Sequence, residues 1–466
     1  MTSEKGKTPR KFTWEEVAAL NSRHNAHVSY RGKVYDVSKF VDQHPGGIEQ
    51  ILLGAGRDVS QLFDMYHDFK TNKVLEKFYV GDLVSNEFPT YKEPGAFAIT
   101  LRKRVSDKFK ELGIHPKDPK WPLARYACIL GSIIISLYLQ LFFWGFSLSG
   151  VTMGAVLMSL SLTMGAFHYT HDASHYSIST KPWVWTFIGA WHDFVHGASM
   201  LVWKHQHIVG HHPYTNIDHA DPDIVTAASN VPDIRRIKKT QNWLPRYVYQ
   251  HIYVPMLYGL LSSKTRLQDL YLLFFVKKNG DIRFNDPSFF QIFIFLAGKA
   301  FYLTYRTILP YLAGMPLLHV IYQYFLVDGI SGYLLAIVFQ VSHVSGNVDW
   351  PEPDENGQLP CWWELQVKTT QDYATDSWFW TYATGALNHQ TAHHLFPSVA
   401  QTNLPVVTPI VKKTCEDFGL QYNDSGTFWK AVASHIGHLK HLGYDEAPAS
   451  QSRQTKKVLA KKEKGA

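Results

Sequence analysis

Long apolar stretches between polar ends dominate the hydropathy pattern of this chain. Residues 126–171 contain no Asp, Glu, Lys or Arg. A helix that spans a bilayer needs about 20 apolar residues. This stretch therefore predicts two spanning helices, with the turn between them at residues 147–150.

A second apolar pair is predicted between residues 289 and 341, with a turn at 314–316, although Lys299, Arg306 and Asp328 interrupt it. Because each pair crosses the bilayer and returns, both termini and all the histidine clusters are predicted on one side. Asp328 falls near the middle of the membrane, where a charge is costly and often functional. A buried structural pair with a neighbouring helix is the alternative.

The remaining pattern divides the chain into further parts. Short strands around the Arg31-Gly32 turn and a helix start at Thr13 predict a small domain over residues 11–84. Residues 85–120 are predicted as a linker and pre-membrane helix, 121–445 as the membrane domain, and 446–466 as a basic disordered tail. Residues 183–203 are apolar but interrupted by His192, Asp193 and His196, which favours a helix lying in the interface.

Composition adds constraints on compartment and partners. Three widely spaced cysteines offer neither a disulfide framework nor a thiolate metal site. The polar first ten residues make a cleavable signal peptide unexpected. Lys462 and Lys464 have the spacing of a short dilysine signal for retrieval to the endoplasmic reticulum. We expect a multi-pass protein of that membrane with both termini cytosolic, and no nucleic-acid partner.

A His-Pro-Gly-Gly turn at His44 predicts a haem ligand. Proline and glycine allow a tight turn that presents an imidazole rigidly while a flat macrocycle approaches the backbone. His67, in a predicted helix, is the candidate for the opposite face of the iron. Two axial imidazoles leave no open position, so such a haem passes electrons. The tetrapeptide alone would more often be a surface turn.

Three histidine clusters predict a metal centre. They comprise His171 and His175, then His207, His211 and His212, and finally His393 and His394, preceded by Gln390. Histidines four residues apart share a helix face. One such pair is more often structural, but three clusters near membrane exits offer more ligands than one ion needs, which indicates two ions. Imidazole suits iron, zinc or copper, and an attached electron donor favours iron. The chain has no Glu-x-x-His pair of the soluble di-iron bundles.

The sequence resembles two known families. Residues 11–84 resemble cytochrome b5, and the three clusters, with glutamine opening the third, resemble front-end membrane fatty-acid desaturases. The resemblance implies an α+β haem b domain and an all-α membrane domain with about four spanning helices and a cytosolic di-iron cap. It adds His343 as a ligand and Gln390 as a weak or outer ligand. Structural or outer roles are expected for the other nearby histidines: His168, His192, His196, His205, His219 and His389.

The implied reaction is O2-dependent removal of two hydrogens from a fatty acyl chain, with electrons supplied by NADH-cytochrome b5 reductase. The sequence segments around the histidine clusters look most like those of fungal and protist delta-5 desaturases, which act on C20 chains. We expect a basic reductase patch to dock on five acidic residues: Asp42, Glu49, Asp58, Asp64 and Asp68. The alternatives are a delta-6 enzyme for C18 chains, a related di-iron hydroxylase, and a non-catalytic haem electron carrier. Either CoA or phospholipid could carry the acyl chain.

Overall fold

The computed structural model describes residues 9–68, 71–117, 120–224 and 231–445. The chain forms an amino-terminal part on a mixed sheet, followed by a larger helical part. This confirms the predicted fold class. The predicted basic tail and its dilysine spacing lie outside the described residues.

The amino-terminal part contains a five-stranded sheet. Its strands are β1 Arg10–Phe12, β2 Asn21–Ser22, β3 Asn25–Tyr30, β4 Lys33–Asp36 and β5 Tyr79–Leu83, in the order β1-β5-β4-β3-β2. The pair β1 and β5 is parallel and the other pairs are antiparallel. Arg31 and Gly32, with φ of 50° and 76°, form the predicted turn between β3 and β4. Two successive positive φ angles match the twist of a tight hairpin.

Short helices cover this sheet. They are Trp14–Ala18, Ile48–Leu53, Ser60–Tyr66 and Asn72–Leu75, with single 3-10 turns at Val41–Gln43 and Glu76–Phe78. The first begins at Thr13 as predicted. Thr13 Oγ1 accepts from the Glu16 amide at 3.3 Å, and the Glu16 carboxylate accepts from the Thr13 amide at 2.9 Å. This reciprocal capping box satisfies two amides that the helix leaves without partners.

Four helices of the described residues are long and apolar enough to cross a membrane. They are Trp121–Trp144, Leu148–Ser174, Phe289–Leu312 and Leu317–His343. Their positions confirm the two predicted pairs. The second and fourth pack against each other and are the more buried of the set. Both of these inner helices end at predicted metal ligands.

Helices outside these spans form the rest of the large part. The principal ones are Ala96–Leu112, Pro182–Trp191, Met200–Lys204, Gln250–Leu257, Leu261–Tyr271, Trp362–Lys368, Trp378–Ala383, Gln390–Leu395, Leu404–Asp417 and Phe428–Tyr444. Pro182–Trp191 buries Trp185 and Ile188 but exposes Trp183 and Phe187. One buried and one exposed apolar side suit a helix that lies in the membrane interface. That location stays a prediction.

The segment predicted as a linker is partly ordered. Strand Thr90–Tyr91 pairs in parallel with Gln358–Leu359. Helix Ala96–Leu112 then packs against Leu404–Asp417 and buries Phe97, Leu101 and Val105 in a shared core. This part of the chain therefore lies on the large domain and does not hang free.

Direct hydrogen bonds join the two parts. The Arg57 guanidinium donates to the Asn285 side-chain oxygen at 2.9 Å and to the Arg283 carbonyl at 3.1 Å. The Asn285 amide donates to the carbonyls of Leu52 and Ala55 at 2.6 and 3.0 Å. These paired polar groups hold the amino-terminal helix Ile48–Leu53 in a defined orientation on the large part.

Asp328 forms a buried ion pair. Its carboxylate contacts the Arg266 guanidinium, accepts from Ser263 Oγ at 2.6 Å and lies 3.3 Å from Tyr302 Oη. The partner belongs to helix Leu261–Tyr271, which is not one of the four long apolar helices. The geometry therefore supports the predicted structural pairing of this charge.

We expect Asp328→Asn to destabilise the fold, because it leaves the Arg266 charge buried without its partner. Removing one member of a buried pair costs about 3–5 kcal/mol. Thermal unfolding in detergent would measure the loss, with Asp286→Asn as control because Asp286 is 85% exposed. The double variant Asp328→Leu with Arg266→Met should recover much of the stability. A single variant as stable as the control would contradict this account.

Candidate metal centre

His44 and His67 face each other as a haem site would require. Their ring centroids lie 6.1 Å apart. Two imidazoles bound to one metal ion at about 2.1 Å each would place their ring centres roughly 6 Å apart. His44 Nδ1 lies 3.2 Å from the Gly47 carbonyl, and His67 Nδ1 lies 3.1 Å from the Phe63 carbonyl. Each Nδ1–H therefore has an acceptor, which leaves each Nε2 free to bind metal.

The surroundings of this pair also fit a haem. A Cβ on Gly46 would lie 2.7 Å from His44 Cε1, so glycine keeps the imidazole accessible at the turn. Gly47 has a φ of 90°, which residues with a Cβ rarely adopt. Burial lowers the pKa of His67 to about 4 and also lowers the pKa of His44. Both imidazoles are therefore neutral at pH 7, as ligation requires.

Every predicted ligand of the metal centre is buried, with exposure of 5% or less. His171 and His175 continue the second spanning helix, and His343 is the last residue of the fourth. His207 and His211 lie on a π-helical segment, His205–His211, and His212 follows it. His393 and His394 lie on Gln390–Leu395. The fold thus brings all the clusters together from different elements.

The ligands form two main groups, and His212 connects them. The first contains His171, His175, His207 and His393, and the second contains His211, His343 and His394. His212 groups with His393 and His394, between them. Within each group the ligand atoms lie within 4.8 Å of one another. The residues present therefore fit two metal ions.

Distances inside the groups match shared coordination. His207 Nε2 lies 3.3 Å from His171 Nε2, and His393 Nε2 lies 3.2 Å from His212 Nε2. Two nitrogens on one tetrahedral ion at about 2.1 Å would lie about 3.4 Å apart. The nitrogens His175 Nε2 and His394 Nε2 are buried without a hydrogen-bond partner. Such orphaned acceptors are expected where a metal ion completes the site.

The second cluster divides between the two groups. His207 and His211 are four residues apart, and their rings stack with centroids 5.5 Å apart. They fall in different histidine groups, but they also form a group of their own with Asp223. The two rings therefore share a face, as the spacing predicted, and lie where the two histidine groups meet.

A carboxylate orients His211. Its Nδ1 lies 3.1 Å from Asp221 Oδ2 and 3.6 Å from Asp223 Oδ2. Burial acts to lower the pKa of His211, but these carboxylates raise it to about 9. Nδ1 therefore keeps its proton and donates to Asp221, which leaves Nε2 facing the site. Carboxylate-to-histidine contacts of this kind fix the tautomer of metal ligands.

Glutamine side chains contact two other predicted ligands, much as Asp221 contacts His211. His394 Nδ1 donates to Gln366 Oε1 at 2.8 Å, which again leaves Nε2 for metal. The Gln390 side-chain amide lies 2.8 Å from His343 Nε2. Gln390 is therefore at the second group, close enough to contact either a ligand nitrogen or an ion.

The other nearby histidines belong to none of the groups found among the described residues. His168 uses both ring nitrogens, with Gln401 Oε1 at 3.1 Å and the Tyr382 carbonyl at 2.9 Å. His389 likewise contacts the hydroxyls of Thr408 and Thr381. The remaining ones are separate: His205 bonds the Leu201 carbonyl, His196 contacts Tyr169, His192 lies near Thr170, and His219 is exposed.

An apolar cavity of about 450 Å³ reaches the second group. Its walls include Leu162, Val254, Leu335 and Phe339, and His211 and His343 contribute to its lining. Volumes of several hundred Å³ are typical of small-molecule sites. An elongated apolar ligand could thus lie beside the histidines.

Sequence reasoning missed the outer partners of the ligands. Asp221, Gln366 and Gln401 contact the predicted ligands His211, His394 and His171. None has a fixed spacing from the histidine that it contacts. An acidic residue ten positions after His211 is a weak signal, since charged loop residues are common.

The predicted acidic docking surface needs one correction. Asp64 is only 8% exposed, and its carboxylate accepts from Arg31 at 2.8 Å and from Tyr30 at 3.0 Å. Asp58 is half-buried and accepts from Ser60 Oγ at 2.6 Å. Asp64 therefore stabilises the domain internally and is not a docking residue.

Known protein families match both the amino-terminal part and the large helical part of the chain. The fatty acid desaturase family model matches residues 142–426, and the model of the cytochrome b5-like haem/steroid-binding domain matches residues 13–84. An acyl-lipid (8-3)-desaturase of Mortierella alpina is 46% identical over 95% of this chain and 99% of its own. A probable delta(5) fatty acid desaturase C of Dictyostelium discoideum is 37% identical over 96% of this chain and 98% of its own.

The chain therefore belongs to the fatty acid desaturase family and carries a cytochrome b5-like haem-binding domain. It is an oxidoreductase of the front-end group, as the sequence resemblance predicted. With four long apolar helices, it is a membrane protein.

Replacing His67 by Ala should remove the haem spectrum, because one axial ligand is lost. Replacing His24 in the same domain should leave the spectrum unchanged, because His24 is exposed. Absorption spectra of the purified, reduced proteins would measure this. An intact low-spin spectrum in His67→Ala would contradict the assignment.

Replacing Asp221 by Asn should weaken metal retention by about 10–100-fold, because the outer partner that orients His211 is lost. Dialysis against graded chelator, followed by elemental analysis, would measure the affinity. Asp281→Asn is the matched control, since Asp281 is partly exposed and contacts only His219 and Lys278 by ion pairs. Equal retention in both variants would contradict a role for Asp221.

Proposed function

We propose that this enzyme inserts a cis double bond at delta-5 of C20 polyunsaturated acyl chains. On this proposal it converts dihomo-gamma-linolenate to arachidonate and eicosatetraenoate to eicosapentaenoate. The central structural observation is the largely apolar cavity that reaches the second of two buried histidine groups. The names of relatives, including delta(5) and (8-3) desaturases aligned over nearly the whole chain, support the regiochemistry.

The ligands in this proposal are eight histidines, with Gln390 as a ninth or outer contact. They are His171, His175, His207, His211, His212, His343, His393 and His394. Iron in both groups would supply the redox chemistry by which O2 accepts four electrons, two from the acyl chain and two from the haem, and leaves as two waters. The outer partners hold the imidazoles correctly turned. The apolar walls of the cavity would fix which methylenes approach the histidines.

The domain organisation that we propose follows this division of labour. Residues 11–84 bind haem b through His44 and His67, 85–120 connect, 121–445 form the membrane desaturase domain, and 446–466 form the tail. NADH-cytochrome b5 reductase would reduce the haem, docking on the acidic residues predicted for this surface other than Asp64: Asp42, Glu49, Asp58 and Asp68. We place the enzyme in the endoplasmic reticulum membrane with both termini cytosolic.

Product analysis in yeast fed linoleic and dihomo-gamma-linolenic acids together would test the regiochemistry. Gas chromatography with mass spectrometry should find arachidonate, because the proposed cavity accepts C20 chains. Gamma-linolenate alone would instead assign delta-6 activity on C18 chains, the reaction suggested by more distant cyanobacterial relatives named sn-1 linoleoyl-lipid 6-desaturase. Hydroxylated products would overturn desaturation itself.

Replacing His393 by Ala should abolish the new product while preserving the haem spectrum, because His393 belongs to the first group and also contacts His212. His219→Ala is the matched control, since His219 is 80% exposed and outside the groups. Continued desaturation by the His393 variant would contradict the proposed ligand set. Loss of haem as well would indicate general misfolding.

A further inference from the structure

One side chain of the haem domain reaches the predicted metal centre. Tyr66 Oη lies 3.1 Å from His175 Nδ1. Tyr66 is the last residue of helix Ser60–Tyr66, and the predicted haem ligand His67 follows it directly. Tyr66, which contacts a predicted ligand of the metal centre, is thus directly followed by His67, the predicted haem ligand.

The hydrogen bond has a defined direction. His175 Nε2 is buried without a protein partner and belongs to the first group. If Nε2 binds metal, the ring proton resides on Nδ1 and is donated to the Tyr66 hydroxyl oxygen. Tyr66 therefore occupies the position of an outer partner to a metal ligand, although it comes from the other domain.

Packing holds Tyr66 in this place. Its ring meets Tyr176 edge-on, with centroids 5.4 Å apart. It packs against two hydrophobic clusters of the large part, and the preceding Met65 is buried in one of them. Arg102 donates to the carbonyls of His67 at 2.7 Å and Asp64 at 3.2 Å. The end of the haem helix is therefore fixed on the desaturase domain.

We propose that Tyr66 is the bridge by which electrons pass from the haem to the histidine centre within one chain. This inference rests on the proposed function. With both cofactors bound, each transfer would move one electron from the reduced haem held by His44 and His67 to an oxidised iron ion held by the first group. The path follows the His67 backbone, the Tyr66 side chain and the hydrogen bond to His175. No bond breaks and no proton is transferred along the path.

On this proposal Tyr66 carries electrons in addition to supporting the structure. Electron tunnelling is faster through covalent and hydrogen bonds than across a gap of the same length. Phenylalanine at position 66 would keep the ring and its packing but remove the hydrogen bond to His175. The structure therefore predicts a variant that folds and binds both cofactors but transfers electrons slowly.

Anaerobic flash photoreduction of the purified full-length holoenzyme would test this. The haem is reduced by a light pulse with deazaflavin, and its reoxidation by the ferric centre is followed by absorbance, without O2 or acyl substrate. We expect Tyr66→Phe to slow this first-order reoxidation by about 10-fold or more, the size of the activity loss typical when an outer partner of a metal ligand is replaced. Tyr176→Phe is the matched control, because the buried Tyr176 hydroxyl has no hydrogen-bond partner.

Iron content and the haem spectrum of each variant would accompany the kinetics. Slow reoxidation with full iron and an unchanged spectrum would support the bridge. Wild-type reoxidation in Tyr66→Phe would overturn it, and so would slow reoxidation accompanied by iron loss, which would make Tyr66 only a support for His175. If the wild-type protein held no iron besides haem, the proposed function would fail instead.

Discussion

The structure depends on burying a compact cluster of imidazoles while leaving one nitrogen of each available for a metal ion. Burial and mutual repulsion lower the pKa of His207, His212, His393 and His394 well below the ordinary value. An unpaired buried polar atom costs about 1–3 kcal/mol. Metal binding would offset that cost, because coordination contributes directly to folding free energy.

This constraint explains why the surroundings of the cluster are polar. Asp221 and Gln366 turn His211 and His394 by accepting from Nδ1. The inner spanning helices Leu148–Ser174 and Leu317–His343 end at the cluster, so the membrane part serves as its rigid base. The largely apolar cavity beside it could admit an apolar substrate.

Direct contacts hold the haem domain beside the histidine cluster. Contacts of Arg57 and Asn285 hold one face of that domain, and Arg102 holds the end of the haem-ligand helix. Tyr66 then contacts His175 across the boundary between the domains. The predicted haem site and the histidine cluster are therefore connected by direct contacts, and the linker alone does not determine their separation.

Much of this could be predicted from local sequence. Apolar runs located the four spanning helices, the His-Pro-Gly-Gly turn located one haem ligand, and histidine spacing located the clusters. Spacing could not show which histidines from different clusters group together, because those groupings depend on tertiary packing. Nor could it find Tyr66 or Asp221, whose partners are distant in sequence or lack a characteristic spacing. Asp64 was wrongly predicted as a docking residue, because charge patterns do not reveal that Arg31 covers its carboxylate.

The central claim is that the histidine cluster holds two non-haem iron ions in the same chain as one haem. Elemental analysis of the purified full-length protein, combined with an independent haem assay, tests it most directly. The account predicts two iron ions per chain beyond the haem iron. Haem iron alone, or zinc in place of the additional iron, would contradict it.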